Sequence, residues 1–169
     1  MLDYSSFPYK LKEDARLWCI VVRNLKTNEV FKAVKEEATK EWLQGVLHNA
    51  THIITHNGIE FDLLTLKLFG VLDYRVGYTD EPDLLFGRPV ILVDTLVLSR
   101  LFNPDRFGGH SLKVWGERVG ENKTDFRQLC IDKGYIDKNS PKGAEFRQFC
   151  LEMVDYCETD TLVGALTLK

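Results

Sequence analysis

Three observations predict an α/β domain with a partly parallel sheet. Runs of apolar, β-branched residues at 17–22, 52–55 and 90–93 are short and continuous, the length of buried strands and not of helices. Between and after them, apolar residues recur at helical spacing. The two kinds of segment alternate β-α-β-α, an order that joins neighbouring strands through helical crossovers and so makes them parallel.

Leu17-Trp18-Cys19-Ile20-Val21-Val22 is the first strand, and the polar turn Lys26-Thr27-Asn28-Glu29 before Val30-Phe31 returns it as a β-hairpin. Across 35–48, Ala38, Trp42, Leu43, Val46 and Leu47 share one face of an amphipathic helix. His52-Ile53-Ile54-Thr55 is a buried strand and Asn57-Gly58 a turn. Phe61, Leu64, Thr65 and Leu68 then keep helical spacing up to Gly70. The Gly-, Asp- and Pro-rich stretch 71–89 reads as an irregular connection, followed by strand 90–93 and helix 95–101. From Ser111 on the pattern is helical, over 112–119, 126–132 and 144–168, with a break expected near Tyr156 or Cys157.

The 169 residues fit one domain, 1–169, long enough to bury a full core. A 44% apolar and 28% charged composition excludes the disordered class. A net charge of -3 does not mark a protein that coats nucleic acid, yet carboxylates gathered for cations would make a nuclease acidic too, so charge decides nothing here. Cys19, Cys130, Cys150 and Cys157 form no CxxC pair, which argues against zinc and a disulfide framework and for reduced thiols. The first residues lack a leader pattern and no apolar run is long enough to span a bilayer, so a reducing cytoplasm and no membrane partner are expected.

Two segments carry chemistry. Thr55-His56-Asn57-Gly58-Ile59-Glu60-Phe61-Asp62 and Tyr156-Cys157-Glu158-Thr159-Asp160 each place a carboxylate beside a structured apolar run. Acids from distant elements, one with a tyrosine a helical turn before it, suit a hydrolase that holds divalent cations and aims a water. Taken singly, Asn57 is also an ordinary turn residue, Asp62 a helix N-terminal acid, and Tyr156 with Asp160 a packed ring beside a solvated carboxylate. Asp94 at a strand end reads mainly as the cap of the next helix, with a site role secondary. His110-Ser111 after Gly108-Gly109 is a loop cap or a phosphate-facing turn, and His48 and His52 are incidental.

The runs ITHNGIEFDLLTL, VDTLVLSRLFNP, RFGGHSLKVWGERVGENKTDF and MVDYCETDTLVGALTL occur in an order and spacing that resembles the proofreading 3'-5' exonuclease domain of family A DNA polymerases from short-tailed phages. The likeness runs from about Trp18 to the C-terminus. It implies a ribonuclease H-like fold, a mixed five-stranded sheet flanked by helices, and removal of nucleoside 5'-monophosphates from a DNA 3' end. It also implies a DEDDy-type site in which Asp62 and Asp160 are the second- and third-motif acids and Tyr156 positions the nucleophile. Asn57 and Phe61 would line the single-strand channel, and His110 lies where a short helix nears the site.

The first motif of that family is Asp-X-Glu, and its counterpart here is Leu2-Asp3-Tyr4-Ser5, so Asp3 fits and Ser5 stands for the glutamate. On this resemblance Asp3, Asp62 and Asp160 hold two Mg2+ or Mn2+ ions about 4 Å apart. A hydroxyl is a poor ligand for a hard dication, so the first ion is expected to bind more weakly, unless Glu13 or Asp14 reaches back. The expected partners are a single-stranded DNA 3' end and a DNA polymerase module, since synthesis cannot fit in this length. The expected compartment is the cytoplasm, the host's if the gene is a phage's. The rival expectation is a catalytically silent nuclease-fold module that binds single strands or a polymerase. An RNA-trimming nuclease of the same fold is not separable by sequence.

Overall fold

Two strands too short to stand alone open the fold: Leu2–Asp3 (β1) pairs antiparallel with Lys10–Leu11 (β2), Leu2 opposite Leu11 and Asp3 opposite Lys10. The computed structural model describes the backbone of Leu2–Asp3 and residues 10–77, 79–121 and 125–168. Ser5 lies outside the described residues, as does the side chain of Asp3.

Cys19–Arg23 (β3) and Val30–Val34 (β4) form the expected hairpin, in register from Cys19 opposite Val34 to Arg23 opposite Val30. Its turn uses Asn28 at φ 62, a left-handed conformation that asparagine tolerates. The helix expected over 35–48 is shorter. Lys35–Glu37 makes a single 3-10 turn, and the α-helix is Lys40–Leu47 (α1), started by Thr39, whose hydroxyl accepts from Trp42 N–H at 3.2 Å. Lys35 sits at φ 48, which no right-handed helix accommodates.

His52–Thr55 (β5) leads through a turn into Asp62–Leu68 (α2), which Gly70 closes at φ 73. The stretch expected to be irregular contains Tyr74–Arg75 (β6) and Asp83–Leu85 (β7) before Arg88–Asp94 (β8). Asp83 makes this order possible in Gly- and Pro-rich sequence, because its carboxylate accepts from Gly77 N–H at 2.9 Å and Leu92 N–H at 3.2 Å. The sheet order is β5-β8-β7-β6, with β5 and β8 parallel and the other pairs antiparallel. Among the described residues the mixed sheet therefore has four strands, not the five expected. The two residues of β1 pair only with β2, too short a ladder to join the β3–β4 hairpin to β5.

Among the described residues four further α-helices follow: Thr95–Phe102 (α3), Leu112–Val119 (α4), Phe126–Asp132 (α5) and Leu151–Leu166 (α6). The break expected near Tyr156 is absent. It falls earlier, at residues 147–150, and α6 runs unbroken through Tyr156, Cys157 and Asp160 because no Gly or Pro interrupts it before Gly164. Among the described residues no helix is long and apolar enough to cross a membrane.

One buried cluster lies between the strands, α1 and α2, built on Ile20, Leu43, Leu63, Leu72, Leu85 and Val90. A second joins Phe126, Cys130 and Met153, with Trp18, Cys19 and Tyr156 packed against it. Each fully buried leucine contributes about 1.5–3 kcal/mol by leaving water. Helix α6 packs on both β3 and α4. Val163, wholly buried, faces Gly116 of α4, where an added Cβ would stand 2.5 Å from the Glu121 carbonyl oxygen.

Candidate active site

Because β5 and β8 are parallel with Thr55 opposite Asp94, both strands end at one edge of the sheet. Open α/β sheets bind ligands at that edge. Asp94 is buried, and its carboxylate accepts from Leu96 N–H at 2.9 Å and Val97 N–H at 3.4 Å, capping α3. The same carboxylate reaches across to Asn57 N–H at 2.9 Å and Ile59 N–H at 3.2 Å. Sequence reasoning found the cap and missed this tether, whose partners are remote in the chain.

The tether shapes the turn that delivers Asp62. Asn57 adopts φ 64, and Phe61 N–H donates to the Asn57 carbonyl at 3.0 Å. Gly58 is buried against Thr55 so closely that a Cβ would lie 2.3 Å from the threonine side chain. Thr95 Oγ1 donates to the Thr55 carbonyl at 3.0 Å, so His56 Nδ1, 2.9 Å from Thr95 Oγ1, is the donor to that hydroxyl. Asp62 then opens α2, exposed, where the helix dipole favours a negative charge. Phe61 beside it is 44% exposed, an apolar ring that the core does not use.

Tyr156 and Asp160 are one turn apart on α6. The Tyr156 ring packs against Phe126, centroids 5.2 Å apart. It also borders a cavity of about 330 Å³, lined in addition by Lys113, Arg127 and Phe146. Cys157 lies between Tyr156 and Asp160 in the chain. A hydrogen bond with Cys19 and burial push its thiol up, and nearby negative charges push it further. Asp62 and Asp160 themselves come from separate elements, α2 and α6. Helix α6 is held there by the hairpin: Glu158 pairs with Lys32 and lies 3.8 Å from Arg23, which also donates to Thr161 Oγ1 at 3.2 Å.

Strand β2 lies against α2, and Asp3 of β1 pairs with Lys10 of β2. Among the described residues no group of three or more His, Cys, Asp or Glu is placed to hold a metal ion. Glu13 and Asp14 stand exposed in the turn after β2 and complete no such group. Asp62 and Asp160 supply the charged oxygens that a hard dication prefers.

His110 is engaged by its own connection. Nε2 lies 3.1 Å from the Pro104 carbonyl and Nδ1 2.8 Å from Ser99 Oγ. A carbonyl only accepts, so in the neutral ring Nε2 carries the proton and Nδ1 accepts from the serine. The same connection is clamped to α4 by Trp115, which has the Arg106 guanidinium 4.6 Å over its ring and that of Arg118 at 5.6 Å. It leaves Phe107 94% exposed, with Phe102 82% exposed at the end of α3.

No family model matches the chain. It is similar to the DNA-directed DNA polymerase of Escherichia phage T7 and to that of Enterobacteria phage T3. Each is 30% identical over 140 residues, a match covering 69% of this chain and 18% of the polymerase. The chain thus spans under a fifth of the length of these relatives, and the likeness is to one segment of a much longer protein.

Proposed function

We propose that this chain is a metal-dependent 3'-5' exonuclease domain of the proofreading, DEDDy type, with a ribonuclease H-like architecture, acting on single-stranded DNA ends. What supports the reading is where the candidate residues lie on the fold: Asp62 opens α2 after the turn that Asp94 tethers, and Tyr156 and Asp160 stand one turn apart on α6. The similarity to phage DNA polymerases supports the same reading. A hairpin, a helix, a parallel strand pair and a long last helix are consistent with the architecture.

Asp3, Asp62 and Asp160 would hold two Mg2+ or Mn2+ ions. When bound, such ions supply Lewis acidity to the scissile phosphate and ease deprotonation of the attacking water. The chain's own groups do the rest. Tyr156 offers its hydroxyl as a hydrogen-bond partner that orients the water in line with the scissile bond. Asn57 and Phe61, on the turn that Asp94 fixes, line the path of the strand, where an exposed ring stacks on a base whatever its identity. His110 shapes the neighbouring connection through its two internal hydrogen bonds. A DNA polymerase module is the proposed partner, and the host cytoplasm the proposed compartment.

The test is release of mononucleotides from a 3'-labelled DNA oligomer with Mg2+ or Mn2+, beside an Asp160→Ala variant. Turnover in the parent that disappears in the variant supports the exonuclease. Equal turnover in both overturns the assignment of Asp160.

One observation favours a second reading. Ser5 stands where a first-motif carboxylate is expected, so the chain would be a silent module that binds single strands or a polymerase. That reading requires binding without turnover, and cleavage gained by Ser5→Glu. Parent and variant that both cleave at the same rate would remove it.

A further inference from the structure

Two thiols meet beside the candidate site for no reason that catalysis supplies. Cys19 on β3 and Cys157 on α6 stand 3.7 Å apart, sulfur to sulfur, in a hydrogen bond, and both are half-buried thiols. The bond holds the Cys19 thiol below its ordinary value. The same bond, burial and the charges of Asp160 and Asp62 push Cys157 up. One sulfur is thus disposed to be the thiolate and its neighbour to be the proton donor.

We propose that Cys19 and Cys157 form a reversible oxidation site that closes to a disulfide with hydrogen peroxide as the two-electron oxidant. The Cys19 thiolate attacks one peroxide oxygen. The O–O bond breaks, hydroxide leaves and takes up the proton that Cys19 had released, and the sulfur becomes a sulfenic acid. Cys157 then attacks the sulfenic sulfur. The S–O bond breaks, the hydroxyl leaves as water with the Cys157 proton, and the S–S bond forms. Two thiols and one peroxide give one disulfide and two waters, and a dithiol reductant reverses the change by exchange.

The geometry gives the change a consequence. Bonded sulfurs are about 2.05 Å apart, so closure from 3.7 Å must re-set the Cys19 and Cys157 side chains or the backbones of β3 and α6 that carry them. Tyr156 immediately precedes Cys157 and Asp160 lies one turn beyond, whereas Asp62 rides on α2. A shift of about 1 Å is enough to slow a reaction that depends on positioning about 10²-fold. This effect on cleavage rests on the nuclease reading; the crosslink itself does not.

The experiment treats the whole chain with a small molar excess of hydrogen peroxide, digests it without reduction and maps the peptides by mass. The expected result is a Cys19 peptide joined to a Cys157 peptide, two hydrogens lighter than their sum. Two of the four cysteines become inaccessible to alkylation, and dithiothreitol restores them. Cys19→Ser and Cys157→Ser each lose the crosslink. A bridge between Cys130 and Cys150 alone, sulfinic acid at Cys19 without a bridge, or four unchanged thiols overturns the proposal. Oligomer cleavage by the oxidised and re-reduced chain then reads the consequence, an expected loss of about 10²-fold that reduction reverses. A chain that cleaves nothing before oxidation speaks against the nuclease reading alone, because the peptide map is independent of it.

Discussion

Asp94 shapes the site from outside the pair of acids proposed to work in it. Its carboxylate accepts from two N–H groups of α3 and from two in the turn that leads to Asp62. Asp94→Ala strands those donors in a buried place, and the expected loss is about 2–4 kcal/mol, read from urea unfolding. The accompanying drop in oligomer cleavage should be larger than unfolding explains, since the turn loosens before the fold does. Tyr156→Phe separates another role. The ring still packs on Phe126, so the fold should persist, while removal of the hydroxyl proposed to orient the water should lower kcat about 10²-fold and leave KM nearly unchanged. The helical positions of Asp62 and Asp160 were legible from sequence because each sits on a patterned element at a defined offset. The tether from Asp94 to Asn57 and Ile59, and the contact of Cys19 with Cys157, were not, because both depend on which strand neighbours which.

At the scale of elements, the Asn57-Gly58 turn positions Asp62 and α6 positions Asp160. Gly58→Ala puts a methyl 2.3 Å from Thr55, so the turn or β5 must move. A cost of about 1–3 kcal/mol is expected, with a loss of cleavage that exceeds the change in oligomer binding. Helix α6 is also tied at its first turn to α5 by Glu152 and Lys133. The hydrogen bond from Lys133 holds the Glu152 carboxyl down to about 2, against an ordinary 4.5. A carboxyl lowered by folding contributes stability above its unfolded value, and that contribution is lost as the pH falls toward the folded one. Glu152→Gln should therefore lower the urea midpoint at pH 7, by an amount that shrinks below about pH 4.5 and is gone near pH 2. Helices α4 and α5 were readable residue for residue because a cap and an apolar stripe agree there. Strands β6 and β7 were hidden in turn-rich sequence that Asp83 organises from the side, and the break expected near Tyr156 has no Gly or Pro there to cause it.

For the molecule as a whole, the acidic balance sets a condition that a metal would relieve. The net charge is -3, and a cation held by Asp62 and Asp160 as proposed would lower the local negative charge. A ligand that binds only the folded state stabilises it by about 2.7 kcal/mol at a hundredfold its Kd, so metal affinity can be read from thermal unfolding without any turnover. Mg2+ or Mn2+ should raise Tm, EDTA should reverse the rise, and Asp160→Ala should abolish it. Ca2+ would test the same carboxylates, since it also takes oxygen ligands. Ser5→Glu adds a charged ligand where the first motif expects one, so it should lower Tm slightly without metal and enlarge the rise with it. If Ser5→Glu enlarges the metal-induced rise and leaves cleavage unchanged, the parent already binds both ions well enough and Ser5 is tolerated. If it enlarges both, the weak ion is what limits the parent, and the proposed exonuclease and the silent module differ by a single carboxylate.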